Sequence, residues 1–474
     1  MSELPSIHPL RPESQPAAAP IPLFGAGEDG FTQQLRLAAQ AQRAGRLDEA
    51  IAAYLRLLAV RPRHAELHNN LGVALRLAGK PDASLAHHRL ALAADPQNPA
   101  LHSNLGNALR AASRLDEAVR HHFQSIALSR DYAEGYFNLA LCLRDLGRLD
   151  ESIGCFARAL ALHPDNRRAT VELALALLMQ GELARGFALY ETRKRLPETP
   201  VPELARSAWD GGPIAGKRLL LHPEQGLSDV LLFVRFAREL KRRGATVIVL
   251  CQAPLRDLLA GLDYVDQAVG EGEALPDFDL HASMVSLPHL CRPDFAATAA
   301  EPPYLAPPPA GRIRLGHRDG VRLRVGLYWG APAGQPQRSA PFAPFLALAG
   351  DPELLVFSLQ GGAAQKDIQL HGAGGLVHDV GRGLFDFAEA ATALAQLDLL
   401  ISIDAPIAHL AAGLGMRTWV LSPTVADWRW QLGGEAMPWH RSVRLFRQTR
   451  PGDWDSLVAR LPGELAALKE TVAR

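Results

Sequence analysis

Apolar and small positions recur through the first half of the chain every 34 residues. The phrases AGRLDEA, AGKPDAS, ASRLDEA and LGRLDES begin at Ala44, Ala78, Ala112 and Leu146. Leu37, Leu71, Leu105, Leu139 and Leu173 share one phase of this period, and the small Ala50, Ser84, Ala118 and Ser152 share another. A ring-bearing phase holds Tyr54, His88, His122, Phe156 and Tyr190. Breaks fall at Gly45, Gly79, Ser113, Gly147 and Gly181, and Pro62, Pro96 and Pro164 close their units, with Arg130 in place of another proline. Each unit therefore predicts two antiparallel helices: small residues let them approach, rings fill the gap, and proline stops the second helix. No such unit can bury its apolar face alone, so five units over residues 31–195 must stack into a solenoid with a concave groove.

The texture on either side differs. Residues 1–30 are rich in Pro and Ala without periodicity and predict a disordered tail. Leu196–Pro202 breaks the helical pattern, giving a linker over 196–204. Short apolar runs then alternate with helical segments. Strands are expected at Arg218–His222, Thr246–Leu250, Val265–Val269, Phe278–His281, Arg324–Trp329, Leu354–Leu359, Leu399–Ile403 and Thr418–Leu421. Helices are expected at Val230–Arg243 and Pro254–Leu262. This alternation predicts parallel α/β sheets in two lobes, 205–310 and 311–474, joined by a hinge at Pro302–Pro303 and Pro307–Pro309. A cleft between the carboxyl ends of two such sheets is the usual place for a ligand.

Composition narrows the function classes. Fifty Lys+Arg balance fifty Asp+Glu, which disfavours a nucleic-acid binder or a polybasic membrane anchor. No apolar run reaches the ~18–20 residues of a spanning helix, and no signal peptide is visible. Cys142, Cys155, Cys251 and Cys291 lack metal or disulfide spacing and read as buried thiols of a cytoplasmic protein. His64, His68, His87, His88, His102, His121 and His122 follow the repeat phase, which favours packing over metal binding. No Walker motif or clean G-x-G-x-x-G is present, so ATP hydrolysis and NAD chemistry are not favoured.

The repeat pattern resembles the tetratricopeptide repeat (TPR). Asn70, Asn104 and Asn138 recur at one phase of its groove-facing helix, and a carboxamide can both donate to and accept from a peptide backbone. They resemble the asparagine ladder of protein O-GlcNAc transferases, where the groove holds a polypeptide; plain repeat consensus is the other reading. HPEQGLSD, His222 to Asp229, resembles the EQGLGD loop of bacterial TPR–glycosyltransferase fusions, which are related to the heptosyltransferases. That resemblance makes Asp229 the general base, with Glu224, Gln225 and Gly226 in the acceptor loop, although Ser228 replaces the family glycine; helix capping is the alternative for Asp229.

ISIDAPIAHLAAGLG, Ile401 to Gly415, resembles the family block that contacts the donor's diphosphate and sugar; Asp404 and His409 match, and Ala405 replaces a hydroxyl residue. Asp404 can also cap the helix that Pro406 opens. Arg338 and Gln360 match further donor positions, Gly361 stands where lysine is common, and Asp427-Trp428-Arg429-Trp430 matches a DWRW segment whose rings are expected to pack.

The resemblance implies a TPR α-solenoid followed by a two-lobed, Rossmann-like GT-B glycosyltransferase domain. It would be inverting, need no metal or other cofactor, and move a sugar from a nucleotide-sugar to a protein hydroxyl, with flagellin one candidate acceptor. A non-catalytic TPR adaptor, for which Ser228, Ala405 and Gly361 argue, and a lipopolysaccharide glycosyltransferase are the alternatives.

Overall fold

The computed structural model describes residues 28–199, 204–298, 301, 303–309, 311–317, 319–331, 338–437 and 439–472. Most of the expected tail, part of the expected linker and Pro302 therefore lie outside the described residues. Two compact units divide at Glu172 and Leu173.

The first unit is built from helices α1 (Glu28–Arg43), α2 (Leu47–Val60), α3 (Ala65–Leu77), α4 (Pro81–Ala94), α5 (Pro99–Ala111), α6 (Leu115–Leu128), α7 (Ala133–Asp145) and α8 (Leu149–Leu162), and the division falls within α9 (Arg167–Gln180). Helices pair within each repeat and each pair packs on the next. All five expected breaks carry a positive φ, from 59° at Ser113 to 96° at Gly181, the left-handed step that turns one helix into its partner. The small-residue phase is fully buried. Ser84 and Ser152 there donate to the carbonyls of Gly72 and Ala140 at 2.7 Å, so neither buried hydroxyl is left unpaired. The ring phase is buried throughout, with His88 and His122 standing where other repeats have Tyr or Phe.

The second unit takes in the end of α9, then α10 (Leu183–Tyr190) and a 3-10 turn, Glu191–Arg195. Its first sheet is four-stranded and parallel, ordered β3-β2-β1-β4: β1 is Arg218–His222, β2 Thr246–Cys251, β3 Gln267–Gly270 and β4 Leu280–Ser283. Around it lie α11 (Leu227–Phe233), α12 (Ala237–Arg242), α13 (Arg256–Ala260), α14 (Leu287–Cys291) and α15 (Phe295–Thr298). The expected helix Val230–Arg243 is thus broken by a 3-10 turn at Val234–Phe236.

The second sheet has seven strands, ordered β10-β11-β9-β8-β5-β6-β7. They are β5 (Leu323–Tyr328), β6 (Leu354–Ser358), β7 (Val377–Asp379), β8 (Leu399–Ile403), β9 (Thr418–Ser422), β10 (Ala436–Met437) and β11 (His440–Arg447). All neighbours run parallel except β10 beside β11. Its helices are α16 (Leu346–Ala349), α17 (Asp367–Leu370), α18 (Phe387–Leu394), α19 (Pro406–Gly413), α20 (Trp454–Val458) and α21 (Leu461–Val472).

The two sheets are packed together through α11 on α19 and α13 on α18. The proline-rich segment joining them is anchored there. Tyr304 is buried, its N–H donates to Gly413 O at 3.0 Å, and its hydroxyl donates to Leu231 O at 2.9 Å. Phe187 of α10, Phe233, Phe295, Trp428 and Trp439 form one aromatic cluster, so the last repeat helix is part of this unit's core. Among the described residues, no helix is long and apolar enough to cross a membrane.

Candidate functional site

The candidate side chains of the second unit lie beyond the carboxyl ends of strands, in the loops there or in the helices that follow. Asp229 follows β1 in the first turn of α11. Its carboxylate does not cap that helix. Oδ1 accepts from Arg429 Nε at 2.6 Å and Nη2 at 2.5 Å, while Oδ2 is buried with no hydrogen-bond partner. The residue is only 2% exposed, and burial pushes its carboxyl above the usual range, with Arg429 pulling the other way.

Arg429 is the center of the arrangement, and sequence reasoning took the DWRW segment only for its rings. Its guanidinium also donates to Asp427 Oδ1 at 2.8 Å and Gln225 Oε1 at 3.0 Å, and lies 4.3 Å above the Trp428 ring. Burial alone would lower its pKa, but Asp229 and Asp427 more than reverse that and keep it charged. The rings pack as expected: Trp428 stacks on Phe233, and Trp430 on His409 with centroids 4.5 Å apart.

On the second sheet, Asp404 follows β8 but does not cap α19. The cap position is Ala405, which offers no side-chain bond, and the Asp404 carboxylate instead pairs with Arg338, whose guanidinium also donates to the Asp404 carbonyl at 3.1 Å. Burial raises the Asp404 carboxyl, with Arg338 opposing. Arg338 keeps 40% of its side chain exposed, the most open charge of the set. His409 is fully buried, neither ring nitrogen has a partner, and burial holds its pKa down at about 3. It is a neutral ring in the core of α19. Gln360 accepts from the N–H groups of Trp329 and Gly330 at 3.0 and 2.8 Å and donates to the carbonyls of Gly330 and Gly361. All its bonding is spent on clamping the loops after β5 and β6. A side chain at Gly361 would meet open space.

The loop before Asp229 is tied to the last repeat helix and to the 3-10 turn that follows it. Arg193 grips Glu224 with two bonds of 2.6 and 2.7 Å, and Ser283 adds a third at 2.5 Å. Burial would raise Glu224, yet Arg193 and Ser283 outweigh it and hold the carboxyl below its usual range. Gln225 donates to the Tyr190 hydroxyl at 2.9 Å while accepting from Arg429. Glu224 and Gln225 therefore shape the loop from behind, and Gly226 enters α11 with extended backbone.

In the repeats, Asn104 Nδ2 donates to Asn69 Oδ1 at 2.9 Å and Asn138 Nδ2 to Ser103 Oγ at 3.0 Å, each one repeat back. Asn70 accepts from Asn69 at 3.5 Å. Two of the three amides thus staple neighbouring repeats. His68 and His102 each bond a neighbouring histidine, His87 and His121, and the carbonyls of Pro62 and Pro96. Among the described residues no three His, Cys, Asp or Glu side chains form a metal-binding group. A cavity of about 720 Å³ lined by Asp398, Arg417, Trp419 and Arg441 lies at the amino ends of β8, β9 and β11. It is at the wrong end of the sheet to serve these residues.

The tetratricopeptide-repeat family model matches residues 35–99, 101–160 and 137–195, so the helical first part is a TPR array. Protein FlbA of Caulobacter vibrioides is 25% identical over 322 residues, covering 60% of this chain and 52% of that protein. The chain thus spans about half the length of this curated relative. Among solved structures, MamA is 22% identical over 33% of this chain and 92% of its own, with a TM-score of 0.30. PilF of Pseudomonas aeruginosa is 19% identical over 46% and 86%, with a TM-score of 0.35. YrrB, described as a TPR protein with an unusual peptide-binding site, is 19% identical over 35% and 98%, with a TM-score of 0.29.

Proposed function

We propose that the chain is a glycosyltransferase of two-lobed GT-B type that moves a sugar from a nucleotide-sugar to a hydroxyl of a polypeptide recruited by its TPR array. The observation that carries this reading is the meeting of two parallel sheets at their carboxyl ends, with buried Asp229 from one and Arg338, Asp404 and Arg429 from the other. A buried carboxylate suits proton removal from an acceptor hydroxyl, and the cations around it suit stabilisation of a leaving diphosphate. On this reading Asp229 is the base, Arg338 and the start of α19 receive the diphosphate, and Asp404 and Gln360 hold the receiving loops. His409 supports α19 from inside. Flagellin is one candidate acceptor.

The adaptor reading is favoured by a specific observation: Glu224, Gln225 and Gln360 already spend their polar groups within the fold, and His409 is buried. Thermal denaturation with UDP-, GDP-, ADP- and CMP-sugars separates the two. A donor at 100 times its Kd should stabilise by about 2.7 kcal/mol, and Asp404→Ala should lose that gain. Transfer to a co-expressed acceptor, followed by intact mass, should then stop in Asp229→Ala. If no donor class stabilises the protein, the adaptor reading replaces the transferase.

A further inference from the structure

We infer that Arg429 is a donor-operated latch on Asp229: the diphosphate of the nucleotide-sugar draws the guanidinium off the carboxylate and so frees the base only when the donor is in place. This rests on the transferase reading above and adds the regulation of its site. Three observations carry it. The guanidinium is shared between Asp229 and Asp427, so it already sits between the first sheet's loop and the second sheet's loops. Asp229 Oδ2 is buried without a partner, leaving one oxygen able to take a proton while the other is held. The donor-side charges lie within electrostatic reach, since Asp404 feels both Arg338 and Arg429.

A diphosphate brings more negative charge than one carboxylate and offers several acceptor oxygens to a forked guanidinium. Arg429 then has a stronger partner than Asp229. Removing its charge raises the basicity of a carboxylate that stays buried. In the transfer step the acceptor O–H proton passes to Asp229, and the oxygen forms a bond to the anomeric carbon. The bond from that carbon to the phosphate oxygen breaks, and its electron pair leaves with the nucleoside diphosphate beside Arg429. Without donor, the carboxylate paired to Arg429 is the weaker base. Arg429 is a positioning residue before the donor arrives and an electrostatic partner of the leaving group afterwards.

The test is calorimetric titration of UDP, GDP and ADP into the full chain and its variants. Asp229→Asn removes the charge that competes for Arg429, so the preferred nucleoside diphosphate should bind at least threefold tighter. Arg429→Met should bind it at least tenfold more weakly while leaving the free nucleoside unaffected. An Arg429 that is only a structural tie would leave nucleotide affinity unchanged or lowered in Asp229→Asn, and that result overturns the latch while the transferase reading stands. Should Arg429→Met fail to fold, the Asp229→Asn titration decides alone, because the amide keeps the size of the side chain. If no nucleotide binds either wild type or Asp229→Asn, the transferase reading falls and the latch with it.

Discussion

The TPR array and the two-sheet unit bury polar groups by opposite rules. In the repeats what is buried is neutral and bonds within its own repeat or to the adjoining one. Ser84 and Ser152 reach carbonyls twelve residues back, and His88 and His122 fill ring positions as uncharged imidazoles, their pKa values pushed by burial to about 4 and 3. In the two-sheet unit carboxylates with little exposure are paired with arginines from elsewhere in the sequence. Asp229 and Arg429 are 200 residues apart, Arg193 and Glu224 31, and Arg338 and Asp404 66. A stacked array needs only each repeat to fit its neighbour. Opposed buried charges serve no such purpose, and pairs of this kind often contribute little net stability. Their concentration at the carboxyl ends of two sheets is what makes this region the candidate site.

The largest effect should come from breaking a charge pair. Arg429→Met leaves the buried Asp229 unpaired and should cost about 3–5 kcal/mol in urea unfolding. Adding Asp229→Asn should recover part of it, and a double-mutant cycle reads the coupling. No loss in the single variant would mean that the pair is solvated, and the contrast with the repeats would disappear.

Next comes acid. Unfolded histidine has its ordinary value of 6.5, so from pH 6.5 downward the unfolded chain binds protons that folded His88 and His122 refuse. Stability is therefore lost as pH falls from about 6.5 toward 4, by up to about 3 kcal/mol for each ring at pH 4. Replacing both with Phe, the residue at position 156 in the same phase, should flatten this loss. Urea midpoints at pH 7 and pH 4.5 check it. Equal acid sensitivity in the variant would show that these rings are not the neutral groups described.

A close approach gives the third test. A methyl group added at Gly72 would lie 2.8 Å from the His88 ring, whereas one at Gly154 in α8 would meet nothing within 4 Å. Gly72→Ala should destabilise by about 1–3 kcal/mol through overpacking. Gly154→Ala should stabilise by about 0.5–1 kcal/mol through helix propensity. Matched effects of one sign would mean that backbone propensity outweighs packing in the array.

This contrast also explains what could be read from the sequence. The repeat breaks, the buried small residues and the ring phase were legible because each is repeated, and one period tests all five. Strands β1 and β8 were legible to the residue as short, mostly apolar runs. Strand β11 was not, because HRSVRLFR places Arg441, Arg444 and Arg447 along a strand whose buried residues are only part of the run. Strands β7 and β10, three and two residues long, are too short to carry a pattern. At the candidate site, Asp229 and Asp404 were singled out by loop motifs, but their partners are set by tertiary packing. Nothing near Asp404 says that its carboxylate will turn to Arg338 rather than cap α19, and nothing near Asp229 points to Arg429.

The smallest effect tests whether the repeat turns are as interchangeable as their period suggests. Four of the five breaks are glycine, and Ser113 alone makes the same left-handed turn with a side chain, at φ 59°. A β-carbon in that region costs roughly 1–2 kcal/mol, while glycine loses more backbone entropy on folding. The difference leaves Ser113→Gly stabilising by about 0.5 kcal/mol, and the reverse change, Gly147→Ser, should destabilise by a similar amount. Urea midpoints of the two variants measure both. If Ser113→Gly is destabilising while Gly147→Ser behaves as expected, then the serine hydroxyl contributes more than its backbone strain costs, and the third repeat differs from its neighbours at the turn as well as at its missing proline.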